Sequence, residues 1–127
     1  MPRILLVEDD ESNSAVLREV LTDAGYEVTV VDSAFGAATL VRELQPSAVL
    51  LDIGLPFRPG TELLDELKSD PRTATVPVVV TSGLTESLTA ERRSLAAAVL
   101  SKPFPMDELL GILRQVSAAG AGRDGRN

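Results

Sequence analysis

Five side chains in this 127-residue sequence offer chemistry together: Glu8, Asp9, Asp52, Ser82 and Lys102. Each lies at or just past the end of a short apolar run. Glu8-Asp9-Asp10 follows Ile4-Leu5-Leu6-Val7, Asp52 closes Ala48-Val49-Leu50-Leu51, Ser82 follows the run ending at Val80, and Lys102-Pro103 follows Ala98-Val99-Leu100. Placed side by side, these run ends gather three or four carboxylates, a hydroxyl and an ammonium. Crowded carboxylates repel, so either they take up protons or a cation sits among them. The chain has 0 histidines and 0 cysteines, which leaves oxygen as the ligand atom and selects a hard ion such as magnesium. That set suits phosphoryl transfer. Asp52 is the nucleophile that would form an aspartyl phosphate, and Glu8 and Asp9 would hold the metal. Magnesium and Lys102 would offset charge on the phosphoryl oxygens, while Ser82 would donate a hydrogen bond to one of them.

The elements that must position these groups follow from periodicity. Ile4–Val7, Glu27–Val31, Ala48–Leu51, Val76–Val80 and Ala98–Leu100 are short runs rich in β-branched residues and leucine that read as strands, the first apolar on both faces as expected inside a parallel sheet. Between them lie amphipathic stretches. Ser12–Ala24 carries Val16, Leu17, Val20, Leu21 and Ala24 on one stripe, with Gly25 suited to end it. Ser33 is a candidate cap for a helix with Ala34, Ala37, Ala38, Val41 and Leu44 inward, ending before Pro46. Thr61–Lys68 directs Leu63, Leu64 and Leu67 inward, and Thr85–Ala97 is a weaker helix. Pro105 opens a last helix with Met106, Leu109, Leu110, Leu113 and Val116 as its stripe. Five strands alternating with five helices predict an α/β fold, an open doubly wound parallel sheet with helices on both faces. In such a sheet ligands bind at the carboxyl ends of the strands, where the five reactive side chains fall.

Composition narrows the function. The formal charge of −7 argues against direct nucleic-acid binding, and aromatic residues at 3% are too few for base stacking. The missing cysteines and histidines exclude disulfides, thiolate and HExxH metal sites and histidine-dependent triads. No apolar run approaches the ~18 residues of a transmembrane helix, and the apolar start is too short for a signal peptide, so a cytoplasmic, non-membrane protein is expected. The C-terminal Gly120-Ala121-Gly122-Arg123-Asp124-Gly125 matches the GxGxxG pattern by letter, but no strand precedes it and no helix has room to follow.

The motifs also have plainer readings. Acids at a helix start complement its dipole, and Asp10 suits a first-turn or capping role better than metal ligation. Asp52 in isolation is a fair turn residue, Ser82 a fair cap, and Lys102 a fair surface lysine. Arg92-Arg93 reads as a solvated helix face, or as a basic contact to an acidic partner.

Taken together, Ile4–Asp10, Leu50-Leu51-Asp52-Ile53-Gly54-Leu55-Pro56 with Gly60, Pro77–Ser82 and Leu100-Ser101-Lys102-Pro103-Phe104 resemble the receiver domain of bacterial two-component response regulators. The resemblance covers about residues 3 to 117, and its strength lies in four motifs in order, each ending a strand. It implies a flavodoxin-like (βα)5 fold with strand order 2-1-3-4-5, a receiver domain over residues 1–117 and a flexible tail over 118–127. It implies that Asp52 is the phosphoacceptor, that Glu8, Asp9, Asp52 and the Gly54 carbonyl surround Mg2+, and that Ser82 and Lys102 complete the catalytic set. Asp52 stands 43 residues after Asp9 and Ser82 stands 30 after Asp52, intervals normal for the family that select Ser82 over Thr81. The implied partners are a histidine kinase or histidine phosphotransfer protein and a downstream output protein; the chain is expected to act as a stand-alone regulator, as a relay intermediate or as a fragment of a longer protein, and as a monomer or weak dimer. It would be a signalling domain rather than an enzyme, with only its own phosphorylation and dephosphorylation chemistry.

Three features depart from the family. Lys102 follows Ser82 by only 20 residues, Val99 stands where many receivers carry an aromatic switch residue, and Ala96-Ala97-Ala98 replaces the usual turn before the fifth strand. These keep a phosphorylation-independent pseudo-receiver as an alternative. A magnesium-dependent phosphatase with an aspartate nucleophile fits less well, because Gly54 stands where its general acid belongs.

Overall fold

A computed structural model of the chain describes residues 2–55, 58–83 and 88–123, with side chains described as far as residue 117. Five strands, β1 (Arg3–Val7), β2 (Glu27–Val31), β3 (Ala48–Asp52), β4 (Val78–Ser82) and β5 (Ala98–Ser101), alternate with α1 (Glu11–Asp23), α2 (Ala37–Leu44), α3 (Gly60–Ser69), α4 (Ala90–Leu95) and α5 (Met106–Arg123). The strands form one parallel sheet, as the alternation of strands and helices predicts, in the order β2-β1-β3-β4-β5 that the family resemblance implies. No helix among the described residues is long and apolar enough to cross a membrane.

Alternation along each strand divides the core into two layers. Leu5, Val7, Val49, Leu51, Val78 and Val80 point to one face and pack with Ala37, Ala38 and Val41 of α2 and Leu63, Leu64 and Leu67 of α3. Ile4, Leu6, Leu50, Val79 and Leu100 point to the other and pack with Leu17 and Leu21 of α1 and Leu109 and Leu113 of α5. The three central strands are buried on both faces, which is why they read as continuous apolar runs. Register fixes the working edge. Val7 pairs with Leu51, Asp52 with Thr81 and Ser82 with Ser101, so every motif terminates on the same side of the sheet.

Several boundaries differ from the periodic pattern. Ser33 does not cap α2. Its Oγ accepts the Phe35 N–H at 3.3 Å, closing a turn that delays the helix to Ala37, behind a left-handed Gly36 (φ 78°). On α1, Val16 is 52% exposed although it shares the apolar stripe, because that stripe is wider than the face the sheet covers. Pro77 has no N–H to give, so β4 begins at Val78 rather than Val76 and runs on to Ser82. Of the helix expected over Thr85–Ala97, residues 85–87 lie outside the described residues. The helix starts at Ala90 because Thr89 accepts the Arg92 N–H at 3.2 Å as its cap, and it stops at Leu95 as Ala96 turns extended. The backbone of α5 continues to Arg123, past the expected start of the tail at residue 118, in keeping with the helix preference of alanines 118, 119 and 121. The last four residues lie outside the described ones.

Candidate phosphoacceptor and metal site

The loop from β1 to α1 turns on two carboxylates with different tasks. Asp10 is the N-cap of α1, its Oδ1 accepting the Asn13 N–H at 3.0 Å. Glu8 folds back under this turn and accepts the Asp10 N–H at 3.3 Å. It is only 3% exposed, whereas Asp9 between them faces solvent. Asp52, at the end of the central strand, is 5% exposed, and its Oδ1 accepts the Gly54 N–H at 2.9 Å.

Carboxylate oxygens of Glu8, Asp9 and Asp52 lie within 4.8 Å of one another. Facing them from the end of β5, Lys102 Nζ stands 3.0 Å from Asp52 Oδ2 and 3.7 Å from Glu8 Oε1. One ammonium therefore serves two buried carboxylates, and the remaining negative charge is not balanced by it. The carboxyl of Glu8 is pushed up to about 7, first by burial and then by the charge of Asp52, against the pull of Lys102 and the Asp10 N–H. Three carboxylates presenting only oxygen at this spacing fit a hard divalent ion such as magnesium, and its charge would relieve the repulsion that loads Glu8 with a proton.

Of the residues singled out in the sequence, Glu8, Asp9, Asp52 and Lys102 converge. Ser82 is 8% exposed at the end of β4, one residue beyond Thr81, the register partner of Asp52. Its carbonyl accepts the Lys102 N–H at 2.8 Å, which fixes the level at which Lys102 leaves the sheet. Gly54 lies beside Asp52 through the hydrogen bond above. Pro56, part of the motif after Asp52, lies outside the described residues. Val99 is half-buried against the α2 and α3 layer.

Periodicity did not reveal a cavity of about 400 Å³ next to the carboxylates, lined by Asn13, Val16, Thr81, Pro103, Phe104 and Met106 as well as Glu8 and Lys102. Its clue is the large apolar Val16 on the exposed flank of the α1 stripe. A close backbone approach also shapes the site. A Cβ on Gly60 would stand 2.6 Å from the Asp52 carbonyl oxygen and 2.6 Å from the Ile53 Cα, so only glycine lets α3 start against the end of β3.

Comparison with known proteins agrees with this fold. The family model described as response regulator receiver domain matches residues 4–114. The chain is 37% identical over 117 residues to the DNA-binding dual master transcriptional regulator RpaA of Synechocystis sp., covering 90% of this chain and 48% of that protein. It thus spans about half the length of the curated relatives it matches. Among solved structures, a CheY-like response regulator receiver domain from Methylobacillus flagellatus superposes with a TM-score of 0.82 at 28% identity, covering 91% of this chain and 98% of that one. The receiver domain of sensor histidine kinase PA1611 from Pseudomonas aeruginosa, with a magnesium ion coordinated in its active site cleft, gives 0.79 at 28% identity, with 92% and 98% covered.

Proposed function

The chain belongs to the family of response regulator receiver domains, and on that premise we propose that it is a magnesium-dependent switch in which Asp52 accepts a phosphoryl group. The donor is a phosphohistidine on a histidine kinase or histidine phosphotransfer protein, since this chain has 0 histidines. The observation that carries the reading is the position of Lys102 Nζ, 3.0 Å from Asp52 Oδ2, beside carboxylates that fit a hard cation.

In this reading an Asp52 oxygen attacks phosphorus while the phosphorus–nitrogen bond of the donor breaks, its electron pair staying on the imidazole, which takes up a proton. Bound magnesium, held by Glu8, Asp9, Asp52 and the Gly54 carbonyl, would supply positive charge for the phosphoryl oxygens. Lys102 follows the negative charge as it moves from the Asp52 carboxylate to the phosphoryl group, and the hydrogen bond from Gly54 keeps one Asp52 oxygen oriented. The Ser82 hydroxyl donates to a phosphoryl oxygen after a rotamer change of low cost. The activity is proposed for the receiver unit over residues 1–117, and its output is delivered through a protein partner rather than by direct nucleic-acid contact.

Intact-mass analysis after incubation with phosphoramidate and magnesium chloride tests this. One phosphoryl adduct is expected, lost when magnesium is chelated before the donor is added. A chain that takes no adduct would instead act as a phosphorylation-independent interaction module.

A further inference from the structure

Alternation along β4 calls for an apolar side chain at position 81. Val79, two residues earlier, packs in the layer covered by α1 and α5, and Thr81 shares its face. Thr81 is only 3% exposed. Among the described residues, none hydrogen-bonds its hydroxyl. A buried hydroxyl without a partner is costly, so a group that pairs with it gains accordingly. The oxygen is not sealed in the core, where among the described residues Ser117 Oγ alone lacks a partner. Thr81 instead lines the cavity of about 400 Å³ between α1 and the segment after β5.

The other walls say what kind of molecule fits. Val16 and Leu17 of α1, with Phe104 and Met106, make the lining largely apolar. The Phe104 ring accepts an aromatic edge or face, and the Met106 thioether adapts to a ring beside it. Val16, 52% exposed, has a place in this wall although no sheet residue covers it. The two ionisable groups of the lining, Lys102 and Glu8, stand 3.7 Å apart and offset each other. Lys102 is also held 3.0 Å from Asp52, so its charge is not left for an anion, which the neighbouring carboxylates would repel. The volume lies at the low end for ligand cavities, roughly 300–1,000 Å³, and suits one or two fused rings.

We propose that this cavity is a binding site for a small neutral heteroaromatic molecule whose ring N–H donates to the Thr81 hydroxyl oxygen. The ring fills the apolar space beside Val16 and Phe104, and Thr81 fixes its orientation. The inference does not rest on the function proposed above, since the occupant needs neither magnesium nor Asp52.

Indole and N-methylindole, which lacks the N–H, are titrated into the metal-free full chain. The chain has 0 tryptophans, so the fluorescence of the probes themselves reports binding. Indole is expected to bind about three- to tenfold more tightly than N-methylindole, the factor one neutral hydrogen bond is worth. Thr81→Val keeps the shape and removes the hydroxyl, so indole should fall to the affinity of N-methylindole. Indoleacetate, the anionic counterpart, should bind more weakly than indole. Indole-induced shifts in amide NMR spectra should centre on residues 13–17, 81 and 102–106. No saturable indole binding, equal affinity for the two probes in the wild-type chain, or a preference that persists in Thr81→Val overturns the site. Tighter binding of indoleacetate, or shifts centred elsewhere, overturns it as well. Val16→Glu, at an exposed helix position, is a second variant that leaves the core intact. It should weaken both neutral probes by about threefold or more as apolar wall is lost, and unchanged affinity there also overturns the site.

Discussion

Glu8 sets the proton balance of the site. Its carboxyl is raised to about 7 from 4.5 by burial and by Asp52. Between those values the folded, metal-free chain keeps a proton that the unfolded chain has released. Its stability therefore falls as pH rises through that window and levels off above it, by at most about 3 kcal/mol. Urea denaturation from about pH 5 to about pH 8 reads this slope, and Glu8→Gln should flatten it. A slope that survives the substitution belongs to another group. A divalent ion must displace the same proton, so magnesium affinity should climb with pH up to about 7 and then level. Asp52→Asn removes the second cause of the shift. It is expected to take no phosphoryl adduct, to remain folded, and to lower the Glu8 titration followed by carboxyl carbon NMR. An adduct of wild-type yield in that variant would move the acceptor elsewhere. These residues were legible in the sequence because each ends a strand, a position that can be counted. The depth of Glu8 was not, because Glu8 and Asp9 are adjacent acids in the same turn, and only the backbone path buries one and exposes the other.

Elements were legible in proportion to how much of them the core holds. The strands, with period-2 alternation feeding two layers, stand where the apolar runs lie, and α3 carries Leu63, Leu64 and Leu67 inward as its spacing predicts. The helix ends were less legible, since local hydrogen bonds set them. Ser33 closes a turn instead of capping α2, and Thr89 starts α4 late. Fit between elements is also invisible to periodicity, and Gly60 is the sharpest case. Gly60→Ala would drive its Cβ into the β3 backbone, which cannot yield as a flexible side chain would. The expected loss is on the order of 1–3 kcal/mol of stability, as for other overpacked sites, measured by denaturant titration. Because the clash falls on Asp52 and Ile53, the adduct should also form more slowly. Stability within about 0.5 kcal/mol of wild type would mean that the start of α3 is free to shift away from the sheet.

Across the whole molecule, the sheet joins regions of unequal stability. Its centre is fixed on both faces, with Leu5, Leu51, Val78 and Val80 fully buried. At the β5 edge, by contrast, Ala98 and Val99 are half-buried and the neighbouring α4 has no buried residue. A perturbation at the carboxyl ends of β3 and β4 therefore travels toward the adjoining β5 edge, whose neighbouring helix α4 has no buried residue, since regions of low local stability open first. Receivers with an aromatic residue at the place of Val99 can pass a signal by swinging that ring. Valine is short, branched and restricted at χ1, so β5 itself should stay quiet. Hydrogen exchange with and without beryllofluoride is thus expected to change at Gly83 and from Leu88 to Ala97, with little change from Leu100 to Pro103 beyond Lys102 itself. The buried strand β3 and the buried Ile4–Val7 of β1 serve as the internal standard. A response confined to Ile53 through Gly60 would contradict this route: the switch would then be read at the acceptor loop by a partner that touches the phosphorylated site directly.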